Sequence, residues 1–223
     1  MRATQIFPAA PINTVDQNPM SQILLVTSSP RGAESVSTKV ATDLASALSK
    51  AGGAPVAHRD LGAEPIAHLD TVTTSAIRKA PADRTPDEAA AAELSDKLIA
   101  ELFAADQIVI GTGLINFNIY SGLKSWIDNI ARAGVTFRYT ANGPEGLVTG
   151  KKVYIVLAAA GVYSDGPAAS MNHAVPYLKT VLAFLGMTDV EVLYVEGLAF
   201  GPEAVEKAMA AAQNRTQELA RAA

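Results

Sequence analysis

The chain has 223 residues, 49% of them hydrophobic, which is enough apolar surface to bury one substantial core without disulfide or metal staples. Its 18 basic and 22 acidic side chains leave a formal charge of -4, so it carries no electrostatic footprint for nucleic acid or an anionic membrane. There is no cysteine, which excludes thiolate nucleophiles, disulfides, Cys-type zinc sites and cysteine-ligated iron–sulfur clusters.

In chain order, residues 1–20 are interrupted by Pro8, Pro11 and Pro19 and by Asn13, Asp16 and Asn18, and so lack the sustained apolar run of a signal peptide. They read as an N-terminal extension, either mobile or packed on a partner subunit, ahead of a single domain over 21–223. Ile23 to Thr27 is a short continuous apolar run, the pattern of a strand buried on both faces. Ser28 to Ser37 is a polar loop that leads into a helix, and Gly52 and Gly53 stop that helix. Pro55 to His58 is a weaker strand, and Arg59 to Arg84 is irregular, with Pro65 and Pro81 inside it.

Thr85, Pro86, Asp87 and Glu88 combine an N-cap, a proline at the first helical position and a capping-box glutamate, which predicts a helix to about Phe103. Gln107 to Gly111 reads as the third strand, Leu123 to Ala133 as a helix and Lys152 to Ala158 as the fourth strand. A helix over Pro176 to Leu185, a fifth strand over Val190 to Val195 and a final helix over Pro202 to Ala222 complete the pattern. The longest nearly unbroken apolar stretch, Val153 to Tyr163, is too short to span a bilayer, and a cytoplasmic protein is expected.

Five buried strands with intervening helices imply an α/β fold: a doubly wound parallel sheet with helices on both faces, because parallel connections need crossovers. Ligands of such sheets bind beyond the carboxyl ends of the strands. The functional residues should therefore lie in the loops after Thr27, Gly111 and Ala158.

The first of these loops carries Ser28, Ser29, Ser35 and Ser37 just before a helix. Hydroxyls and free N–H groups at a helix N-terminus suit a phosphate, although a serine there also serves as an ordinary cap. The loop is not a P-loop and carries no dinucleotide fingerprint, since the required glycines and lysine are missing. The second loop contains Leu114, Ile115, Asn116, Phe117 and Asn118, a set that can pack on a flat heteroaromatic ring and bond its polar edge, or form an ordinary turn. The third loop, Ala158, Ala159, Ala160 and Gly161, has small side chains that let a ring approach the backbone, or let a helix approach the sheet. His58, His68 and His173 lack metal-ligand spacing, and no nucleophile elbow is present. Tyr139, Tyr163 and Phe184 form either an aromatic wall or packing contacts, and Arg78 meets either an anionic nucleotide or solvent.

The run from Ala131 to Thr140, Ala-Arg-Ala-Gly-Val-Thr-Phe-Arg-Tyr-Thr, continues from Asn142 to Lys152 as Asn-Gly-Pro-Glu-Gly-Leu-Val-Thr-Gly-Lys-Lys. Together with Asn116-Phe117-Asn118, Arg59-Asp60-Leu61 and the stretch Leu94 to Leu102, it strongly resembles the FMN-dependent NADH-azoreductases, flavodoxin-like quinone reductases of bacteria. The similarity runs from about Ile23 to the C-terminus. It implies a flavodoxin-like fold with FMN as cofactor and NADH or NADPH as donor. Quinones are the implied acceptors, and aromatic azo compounds are cleaved to amines over two cycles.

The resemblance places the FMN phosphate on Ser29, Ser35, Val36 and Ser37. It places the isoalloxazine on Leu114, Ile115, Asn116 and Phe117, with further contacts at Ala158, Ala159, Ala160 and Gly161. It implies a homodimer with two flavin sites at the interface, puts Tyr139 and Phe184 near the substrate, and calls for no catalytic acid or base, because the flavin carries the difficult step. Two departures stand out. The family often has Pro-Met-Tyr where this chain has Gly113-Leu114-Ile115, and often has Ser-Arg-Gly-Gly where this chain has Ala158-Ala159-Ala160-Gly161. The rival expectation is a flavodoxin-like electron carrier without turnover, against which the mild net charge argues.

Overall fold

The computed structural model describes residues 22–223, so the expectation of an N-terminal extension over 1–20 falls outside the described residues. The chain enters through β1 (Ile23–Thr27), α1 (Val36–Gly52) and β2 (Val56–Asp60), followed by α2 (Thr71–Arg78), α3 (Pro86–Ala104) and β3 (Gln107–Gly113). It continues with α4 (Ser121–Ile130), β4 (Phe137–Thr140), β5 (Gly143–Gly146) and β6 (Lys152–Ala158). It closes with α5 (Ala174–Leu185), β7 (Asp189–Val195) and α6 (Pro202–Ala222).

The main sheet has five parallel strands in the order β2-β1-β3-β6-β7. Side chains alternate between its two faces. Leu24, Val26, Ile108, Ile110, Val153 and Ile155 join the core shared with α3, α4 and α5. Ile23, Leu25, Val109, Tyr154 and Val156 join the core under α1 and α6. The period of two thus supplies both cores from one set of continuous apolar runs. After β2 the chain crosses back over β1 to form β3, and this reversal leaves a crevice beyond the carboxyl ends of β1 and β3.

The capping box of α3 forms as the sequence predicts: Glu88 N donates to Thr85 Oγ1 at 3.2 Å and Thr85 N to Glu88 Oε2 at 2.9 Å. Three local differences have physical reasons. The helix α2 lies within the stretch read as irregular; Asp70 caps it by a reciprocal pair with Thr73, and its β-branched Thr71, Val72, Thr73 and Thr74 give little helical signal. The helix α4 ends at Ile130, three residues before the expected Ala133, because Thr136 Oγ1 donates to Ile130 O at 2.6 Å and accepts from Arg132 N at 2.9 Å. The hairpin β4–β5 is absent from the sequence reading, since Gly143-Pro144-Glu145-Gly146 contains no strand-forming residue. That hairpin is tied down by a backbone contact, for a Cβ on Gly146 would lie 2.1 Å from Gly186 N at the end of α5. Among the described residues no helix is long and apolar enough to cross a membrane.

Candidate functional site

A cavity of about 330 Å³ opens at the switch point, lined by the loops after β1, β3, β6 and β7. Its floor is set by close packing. A Cβ on Gly111 would meet Ala41 Cβ at 2.7 Å and Ser37 O at 3.0 Å, so the glycine lets the first turn of α1 rest directly on β3. Gly62 does the same on the other side, where a Cβ would lie 2.3 Å from Ser29 O and would push the loop after β2 off the loop after β1.

At one end of the cavity stand Ser29, Ser35, Val36 and Ser37. Ser35 is the N-cap of α1; its Oγ accepts from Thr38 N at 3.1 Å and lies 3.2 Å from Ser37 Oγ. A hydroxyl has one hydrogen and two lone pairs, so capping leaves capacity for a further bond. The N–H groups of Val36 and Ser37, in the first turn of α1, have no intrahelical acceptor, and the helix dipole adds partial positive charge there. Cap and phosphate cradle are therefore compatible in the same residue.

At the other end stand Leu114, Ile115, Ala158, Ala159 and Ala160, joined by the bond from Leu114 N to Ala158 O at 2.8 Å. Ile115 and Asn118 exchange backbone bonds of 2.9 Å in both directions around Asn116 and Phe117. These two residues have φ of 47° and 67°, the left-handed conformation at both centres of a two-residue turn. Such a conformation costs a non-glycine residue on the order of 1 kcal/mol and persists only where the surroundings hold it. Here His173 N donates to Phe117 O at 2.9 Å, and the Phe117 ring meets Tyr163 edge-on at 6.2 Å.

Nine of the twelve residues expected at the cofactor thus line one cavity, while Asn116, Phe117 and Gly161 lie beyond its lining. Tyr139 and Phe184 are elsewhere. Both pack on Phe137, at 5.6 Å and 4.5 Å between ring centroids, and Tyr139 on the β4–β5 hairpin is 74% exposed. The sequence reading missed Pro30, Arg31, Gly113, Leu198 and Ala199. Leu198 and Ala199 follow β7, and they reach the site because β7 lies beside β6, an order that no residue type encodes. The segment pairs through Leu198 N to Ala159 O at 3.2 Å and Ala199 N to Ala160 O at 3.0 Å.

Among the described residues the cavity lining contains no carboxylate, imidazole or amine, and Arg31 is its one charged side chain. The arrangement suits binding rather than proton transfer. A larger groove of about 690 Å³ lies between α1 and α6, but its Lys39, Asp43, Lys50 and Glu206 are mixed in sign. Among the described residues no three His, Asp or Glu side chains gather as metal ligands.

A family model described as flavodoxin-like fold matches residues 21–220. The chain belongs to the flavodoxin-like family. An FMN-dependent NADH:quinone oxidoreductase of Agrobacterium fabrum is 72% identical over 205 residues, 92% of this chain and 100% of the relative. One of Rhizobium etli is 66% identical over the same shares. Among solved structures, an azoreductase from Bacillus anthracis superposes with a TM-score of 0.82 at 33% identity, covering 90% of this chain and 99% of that one. An FMN-dependent NADH-azoreductase from the same organism, solved in complex with FMN, gives 0.79 at 26% identity, over 90% of this flavodoxin-like chain and 100% of the other.

Proposed function

We propose that the chain is an FMN-dependent NADH:quinone oxidoreductase that also reduces aromatic azo compounds. The observation that carries this reading is a single cavity lined by the hydroxyl-bearing N-terminus of a helix together with small and apolar side chains, the two chemistries that a flavin mononucleotide combines. The residues present fit that group: three serines and two free helical N–H groups for a phosphate, and alanine and leucine surfaces with nothing bulky between them for a ring.

Ser29, Ser35, Val36 and Ser37 hold the phosphate. Leu114, Ile115 and the alanines of the third loop hold the ring faces and keep water out. The Asn116 side chain and the N–H groups beside it serve the polar edge of the ring. FMN, when bound, supplies two-electron chemistry, with hydride entering from NADH or NADPH and a hydride equivalent leaving to a quinone, once per quinone and twice per azo bond. The protein's share is alignment, because the reacting atoms need to sit at roughly 3–3.5 Å. No side chain is assigned as acid or base.

The working unit is a homodimer. Tyr139 and Phe184 lie outside the cavity of their own chain, and the exposure of Tyr139 on its hairpin supports a reading in which a second copy brings these aromatics to the flavin site. A cytoplasmic location goes with this assignment, since that compartment supplies the reduced nicotinamide.

The test is a visible absorption spectrum of the purified protein before and after anaerobic NADH, followed by steady-state NADH oxidation with menadione and with methyl red. A yellow protein that bleaches with NADH and turns over both acceptors is expected. Colourless protein that takes up no added FMN overturns the assignment, and flavin bound without turnover identifies an electron carrier.

A further inference from the structure

We infer that Arg31 is the counter-charge of the bound phosphate and makes the cleft select FMN over uncharged riboflavin, an inference that rests on the FMN reading above. A phosphate monoester carries about −1.5 to −2 charges at pH 7. The serine hydroxyls are neutral, and a helix N-terminus contributes only about half a positive charge. Neutral donors and half a charge leave part of the phosphate's charge for a cation to meet. Among the described residues Arg31 is the one charged side chain lining the cavity, next to Ser29, on whose Oγ its N–H rests.

The root of the Arg31 side chain is fixed. The ring of Pro30 restricts the preceding φ, Arg31 itself sits at φ -87° and ψ 0°, and its N–H donates to Ser29 Oγ at 3.3 Å. Gly32 follows at φ 52°, where the left-handed turn carries the chain on toward the α1 cap. The guanidinium, by contrast, is free to move. Its side chain is 68% exposed, and its sole carboxylate neighbour among the described residues is Glu34 at 3.8 Å, itself 83% exposed. Arg59, Arg84, Arg132 and Arg138 each donate a hydrogen bond to a carboxylate, and Arg31 donates none. An exposed pair at that distance holds weakly, whereas a guanidinium on a phosphate makes two parallel charge-assisted bonds. The guanidinium therefore leaves Glu34 for the phosphate.

The experiment titrates the full-length chain, stripped of bound flavin, with FMN and separately with riboflavin, following flavin fluorescence at low and high salt. Arg31→Gln should weaken FMN binding about tenfold, leave riboflavin within about twofold, and flatten the salt dependence of FMN affinity. Arg31→Lys should recover part of the loss, as a point charge without the fork. If Arg31→Gln changes both flavins equally, or changes neither, the inference is overturned. If the unmodified protein binds neither flavin, the FMN reading fails instead.

Discussion

The two ends of the cleft are built by different means. At the α1 end, side chains supply the contacts, and Ser35 and Ser37 stand where they do because a helix needs a cap. At the far end the main chain sets the shape, through Leu114 and Ile115, which lead into a left-handed turn at Asn116 and Phe117 just beyond the lining, and through an alanine loop hydrogen-bonded to the strand ends beside it. Residue type announces the first kind of site. The second becomes visible only when backbone conformation and strand neighbours are known.

Substitutions can test how separate the two ends are. The largest effect should come from Gly111→Ala, which forces the first turn of α1 away from β3. Overpacking of this kind costs about 1–3 kcal/mol, so thermal melting should show a clear loss of stability together with loss of flavin affinity. An unchanged melting temperature would mean that α1 is not held against β3 as described. Ser35→Ala comes next. Removing the cap should cost about 1 kcal/mol in a denaturant titration and weaken FMN binding while leaving the far turn intact.

At the far end, Asn116→Ala and Asn116→Gly form a pair. Alanine tolerates the left-handed conformation worse than asparagine and should cost up to about 1 kcal/mol, whereas glycine keeps the turn and deletes only the side chain. Lower FMN retention or turnover in both variants would assign a role to the amide. Loss in the alanine variant alone would assign it to backbone shape.

The smallest effect is a pH dependence that should touch neither end. Hydrogen bonds from Lys79, from Thr85 N and from Ser75 hold the Glu88 carboxyl down at about 2, from an ordinary 4.5. Because the folded value is lowered, its stabilisation is present in full above about pH 4.5 and is lost as pH falls toward 2. Glu88→Gln should flatten the stability profile in that window without changing FMN affinity at neutral pH. A shift in FMN affinity would show that α3 and the cleft are coupled.

Much of the fold could be read in the sequence. The runs Ile23–Thr27 and Lys152–Ala158 are buried on both faces and so are continuous in hydrophobicity, and their bounds agree with those strands. The capping box at Thr85 fixed the start of α3 for a local reason. What escaped depends on contacts distant in sequence: Gly146 on Gly186, Thr136 reaching back to Ile130, and β7 bringing Leu198 and Ala199 to the cavity. Arg31 was in plain view within the first loop, but sequence alone cannot separate a solvated arginine from one beside a cleft.

Over Ala159 to Gly161 the loop after β6 is held by peptide groups: Ala159 N to Val195 O, Leu198 N to Ala159 O, Ala199 N to Ala160 O and Gly197 N to Gly161 O, all between 3.0 and 3.2 Å. The methyl group of Ala160, which is exposed, has no share in maintaining that course. A hydroxyl, an amide or a guanidinium can be mounted there on an unaltered bracket. Under the proposed function, acceptor range can thus drift or be engineered at this position while the scaffold beneath stands still.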